Sequence, residues 1–135
     1  MGTTLRTVTV ALAAMALPAA ATSTAAAETA ADGDWTASYG TARAAGTSWT
    51  EPGTIFVRPL VIKGELENTG SDCYSAWIEF TQDLTPGLPA KNATQCGPGT
   101  TLVDYRLALP SVRTVSIKIC RGSTDMADCG PVTWF

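Results

Sequence analysis

Four cysteines, Cys73, Cys96, Cys120 and Cys129, in a chain of 135 residues without a single histidine restrict the possible folds more than any other feature. An even cysteine number in an exported chain implies disulfides. Structural zinc is a poor rival: with no histidine and no C-x-x-C pair, it would need all four thiolates at unsuitable spacings. Two disulfides can be drawn in three ways, and the sequential one, Cys73–Cys96 with Cys120–Cys129, is favoured. In the chain-entropy picture each such loop contributes about 3 kcal/mol, so the cysteines need no catalytic role to explain them.

The premise of export comes from the N-terminus. Arg6 precedes the apolar run "TVTVALAAMALPAAA", and small residues follow up to Ala25-Ala26-Ala27. This is the pattern of a secretory signal peptide over 1–27, cleaved before Glu28. No paired arginines precede the apolar run, which favours Sec export over the twin-arginine route. Removing 27 of the 135 residues leaves 108, enough for one domain. The sequence then divides into a flexible N-terminal tail at 28–34 and a single secreted β domain at 35–135. After cleavage eight basic residues face twelve acidic ones, a net charge of −4. Nucleic-acid binding needs the opposite sign.

Residues 59–68, "PLVIKGELEN", put Leu60, Ile62, Gly64 and Leu66 on one side and Val61, Lys63, Glu65 and Glu67 on the other. A period of two with one apolar face is the mark of a half-buried antiparallel strand. "CYSAWIEFTQD" alternates likewise, with Tyr74, Ala76, Ile78 and Phe80 as core and Trp77 on the less apolar side. "TTLVDYRLAL", "VRTVSIKICR" and a short terminal "PVTWF" read as further strands, "WTASYGTARA" as one weak strand, and "LTPGLPAKNATQCGPG" as a long loop. Helical periodicity is missing beyond the signal. The fold expected is all-β, an antiparallel sandwich of immunoglobulin-like general shape with two disulfides.

Candidate chemistry is sparse. Without histidine, neither Ser-His-Asp nor Cys-His machinery can be assembled. Glu65 and Glu67 share a strand face, but outward acids on a solvated strand are the ordinary case, and glycoside cleavage needs two carboxylates across a cleft. Asp32, Asp34, Asp125 and Asp128 lack the spacing of a calcium loop. No catalytic residue, metal or cofactor is therefore expected. Trp35, Tyr39 and Trp49 are candidates for a ligand-binding platform, because planar rings stack on the apolar faces of sugars. The competing reading places them in the core. Trp134 and Phe135 are expected to pack inward. The segment "CRGSTDMADCG" offers a disulfide-pinned loop that could serve as a protease decoy, with Arg121 or Met126 as anchor, or simply as a staple. Asn92-Ala93-Thr94 matches the N-glycosylation sequon.

At "GELENTGSDCYSAWIEFTQDLTP", "CGPGTT", "ICRG" and "DCGPVTWF" the chain resembles small secreted actinomycete proteins with four cysteines, over roughly residues 60–135. That resemblance implies an extracellular β-rich domain with the four cysteines as disulfide partners, and it carries no active-site residue. The similarly sized subtilisin inhibitors have a reactive-site segment without counterpart here. The functional expectation is a secreted, non-enzymatic binding module, for cell-wall or other polysaccharide or for a secreted protein, with a protease inhibitor as alternative.

Overall fold

The computed structural model describes residues 31–135; the signal peptide expected at 1–27 and the start of the expected tail lie outside them. The described residues form nine strands: β1 (Ala31–Tyr39), β2 (Ala42–Thr50), β3 (Leu60–Asn68), β4 (Cys73–Gln82), β5 (Thr85–Pro86), β6 (Ala90–Cys96), β7 (Gly99–Leu107), β8 (Val112–Arg121) and β9 (Thr133–Trp134). One antiparallel sheet has the order β1-β2-β3-β7. The second runs β5-β4-β8-β9, with β6 also paired to β4. The two sheets pack face to face, an all-β sandwich as the alternation predicts.

The core follows from that alternation. Ile62 and Leu66 of β3, Tyr74, Ala76 and Ile78 of β4, and Val115, Ile117 and Ile119 of β8 are all buried. Each is the inward member of a period-two pattern. Pro59, which has no amide donor, immediately precedes β3.

Three segments depart from the sequence expectation. "WTASYGTARA" is not one strand but the hairpin β1–β2, reversing at Gly40-Thr41, where Gly40 takes a φ of +58°. β1 also begins at Ala31, inside the segment read as a tail, because the bulge between Ala31 and Gly33 lets it continue along β2. The region read as a long loop contains β5 and β6, the latter held to β4 from Cys73–Cys96 to Ile78–Ala90.

The turns sort into two ends of different character. At one end lie 40–41, 69–72, 97–98 and 122–132, and both disulfides are there: Cys73–Cys96 and Cys120–Cys129, the sequential pairing. Asn68, 1% exposed, is the junction of this end. Its Nδ2 donates to the carbonyls of Asp72 and Gly97, and its Oδ1 accepts from Thr41 Oγ1 and the Gly70 amide. Every polar valence of the side chain is used. At the other end lie 51–59, 83–89 and 108–111. There Ile55 and Phe56 are 90% and 76% exposed, and Leu84 and Leu88 are 89% and 88% exposed.

Candidate functional site

The three aromatic residues expected as a platform are not brought together. Trp35 is 4% exposed and faces the core. Its partner across β2 is Gly46, which in turn pairs with Gly64 of β3. A Cβ on Gly64 would stand 2.8 Å from Trp35 Cζ2, so the indole lies against a floor that only glycine leaves open. Phe135 meets the same indole edge-on, 5.9 Å between centroids. Tyr39 is half-buried against the core. Trp49 lies on the opposite, outward face of its sheet, in a cross-strand row with Val61 and Arg106. Glu51 pairs with Arg106 at 2.9 Å beside it. The plane of the sheet separates Trp49 from the other two rings.

The disulfide-pinned loop is folded back on the body. The Arg121 amide donates to the Asp128 carbonyl at 2.8 Å, and Tyr39 Oη donates to the Asp128 carboxylate. The Arg121 guanidinium lies 5.9 Å from the ring centroids of both Tyr39 and Tyr74, and 3.7 Å from an Asp128 carboxylate oxygen. Its hydrogen bond to Tyr74 lowers that phenol's pKa, whereas the bond to Asp128 raises that of Tyr39. Met126 is half-buried, with its carbonyl oxygen 3.2 Å from the disulfide sulfur of Cys129. Lys91 Nζ reaches the Ser123 carbonyl at 2.6 Å. A decoy loop must extend away from its scaffold; here Arg121, though half exposed, is engaged by Tyr39, Tyr74 and Asp128, which counts against free presentation of the loop. After Cys96 the chain makes only the reversal Gly97-Pro98 before β7 begins.

Asn92, of the sequon, has both amide functions engaged: Nδ2 donates to the Asp104 carbonyl at 2.9 Å and Oδ1 accepts the Asp104 amide at 3.0 Å. The side chain imitates a neighbouring strand along the outer edge of β7, and so blunts that edge.

The indole that stands in solvent is Trp134, 65% exposed. Sequence reasoning placed it in the core together with Phe135. Strand alternation forbids this: Trp134 pairs with Ser116 on the outward face, and Phe135 turns inward. Beside Trp134 runs a groove of about 200 Å³, lined by Glu79, Phe80, Thr81, Pro86, Gly87, Thr114 and Ser116 as well as Trp134 itself. Register explains the arrangement. Glu79, Ser116 and Trp134 form one row across β4, β8 and β9, and Pro86, Thr81 and Thr114 form the next across β5, β4 and β8. Pro86 and Trp134 thus stand on the two flanking strands, separated by about 14 Å across the sheet at ~4.8 Å per strand step and by one row along it.

Between them lie hydroxyls and one carboxylate. Thr81 Oγ1 and Thr114 Oγ1 are hydrogen-bonded at 2.7 Å. Glu79 pairs with Lys118 at 2.9 Å, with side chains 34% and 18% exposed. Trp77, across from Lys118, is half-buried. Among the described residues no group of three or more histidine, cysteine or acidic side chains converges as a metal site would require.

Comparison with protein-family models finds no matching family. Comparison with curated proteins and with solved structures finds no match either.

Proposed function

We propose that the protein is an exported, non-catalytic binding module and that its ligand is a polysaccharide held in the groove beside Trp134. The reading of export rests on the N-terminal signal pattern and on the two disulfides, which persist in oxidising surroundings. The observation that carries the ligand class is the exposed indole of Trp134 beside a row of hydroxyls and a carboxylate. A pyranose ring presents an apolar C–H face and a polar rim. An indole offers the surface for the first, and Glu79, Thr81 and Thr114 offer hydrogen-bond partners for the second. The non-catalytic reading rests on the absence of histidine and on the groove's lining, in which Glu79, itself paired with Lys118, has no second acid opposite it among the described residues.

The test is co-sedimentation of disulfide-intact protein with insoluble peptidoglycan, chitin and cellulose. Saturable retention on one of them, reduced at least tenfold by Trp134→Ala and unaltered by Trp49→Ala, supports the reading. No retention on any of the three, or retention indifferent to Trp134, refutes it.

A further inference from the structure

The same end of the molecule holds a second cavity, which opens between the sheets and not on the face of one. It is a half-open cavity of about 240 Å³, lined by Thr50, Leu60 and Leu107 from one sheet, Val112, Val115 and Phe135 from the other, and Leu109 from the β7–β8 connection. Val115 is 5% exposed, so the cavity reaches down to the core. Arg58 lines it as well, from the exposed β2–β3 loop. Lys63, Arg106, Lys118 and Arg121 each hold a carboxylate, whereas Arg58 holds none among the described residues.

A guanidinium that lacks an internal counterion, beside a cavity that joins apolar side chains to a greater share of polar surface, fits a ligand with an anionic head and an apolar body. The single guanidinium matches one carboxylate, which it can bind through two parallel N–H donors. Size limits the body: at the ~30 Å³ a water-sized group occupies in a liquid, the cavity takes roughly eight heavy atoms. The tip of the loop that supplies Arg58 carries Ile55 and Phe56, both exposed, and Leu109 is 39% exposed. Leu109 adds apolar surface to the cavity's opening.

We infer that this cavity binds a small amphipathic monocarboxylate, with a tail of about eight heavy atoms packed on Leu60, Val115 and Phe135 and its carboxylate on Arg58. The site is separate from the groove beside Trp134, and either can exist without the other.

The probes are octanoate, kept below its micellar concentration, and octanamide, which has a closely similar shape without the charge. Binding is followed by calorimetry and by amide chemical-shift mapping on the disulfide-intact protein. The expected result is saturable octanoate binding with shifts at Leu60, Val115 and Phe135, and octanamide at least tenfold weaker. Arg58→Gln should lose at least tenfold in octanoate affinity and leave octanamide unchanged, which also shows that the variant is folded. Leu109→Trp, at the mouth, should weaken both ligands. Absence of saturable octanoate binding overturns the proposal, as do shifts confined to other parts of the molecule. Equal octanoate affinity in wild type and Arg58→Gln, or loss of both ligands in that variant, overturns the assignment of the head group.

Discussion

Trp134 and Phe135 are neighbours in the chain yet serve opposite sides of one sheet: the indole stands in solvent and the phenyl ring packs edge-on against Trp35 at 5.9 Å. Their replacement by alanine should therefore have opposite consequences. Phe135→Ala removes a partly buried ring from the core and is expected to cost about 2–4 kcal/mol, seen as a fall in urea midpoint at unchanged slope. Trp134→Ala should shift stability by no more than about 0.5 kcal/mol. Equal losses from the two changes would mean that the strand does not alternate as described.

The glycine floor beneath Trp35 gives a second prediction. Gly64→Ala would place a Cβ against the Ala45 carbonyl and 2.8 Å from the indole, with backbone on one side and a core ring on the other. Neither yields cheaply. A destabilisation of about 1–3 kcal/mol is expected, roughly 4–20 °C in melting temperature for a domain of this size. Calorimetry of the variant decides it.

Asn68 should be the most sensitive polar residue. Asn68→Ala leaves the Thr41 hydroxyl, the Gly70 amide and the carbonyls of Asp72 and Gly97 without that partner. A cost of about 2–4 kcal/mol follows from abandoning buried groups of this kind. Hydrogen exchange should show faster opening of the turns at 40–41 and 69–72 before the rest of the sandwich is affected. Uniform acceleration throughout the chain would contradict the local role.

The tyrosines should titrate in a defined order. All three of them, Tyr39, Tyr74 and Tyr105, are shifted. The Arg121 hydrogen bond lowers Tyr74 below its ordinary value of 10.0. The bond to Asp128 raises Tyr39, and burial raises Tyr105. Alkaline difference absorbance should show one phenol ionising below pH 10 and two above it, with the early step lost in Arg121→Gln. The signs for stability differ. The lowered Tyr74 adds stability as pH rises from its folded pKa to 10, the gain being complete above 10. The raised Tyr39 and Tyr105 contribute fully below 10 and lose that contribution as pH climbs through their folded values.

Reduction should abolish the fold near 37 °C. At about 3 kcal/mol per cross-link, the loss of both disulfides approaches the whole of an ordinary domain's stability, about 5–15 kcal/mol. Circular dichroism before and after dithiothreitol measures it. Retention of the full sheet signal in reduced protein would show that the apolar core suffices.

The strands β3, β4 and β8 were legible because each carries apolar residues at two-residue spacing over most of its inward face. The β1–β2 hairpin was not, since Ala37, Ala42 and Ala44 are small and give the pattern little contrast. Gly46 and Gly64 held the missing signal: glycines within strands mark close approach, here of the β3 backbone to Gly46 and of the Trp35 indole to Gly64. The groove was illegible for another reason. Its flanks, Pro86 and Trp134, lie in different parts of the chain and meet only through the order of strands. Alternation alone, applied to "PVTWF", would have sent one of the last two aromatic residues outward.

The uneven placement of the cross-links bears on how such a domain can diversify. Both disulfides and the Asn68 junction bind one end's turns to one another, so a change in any of them disturbs several neighbours. The connections at 51–59, 83–89 and 108–111 carry no covalent tie. Insertions or wholesale replacement there should be tolerated by the folded body, which makes this end a natural place for new specificities to arise, and for engineered loops to be grafted.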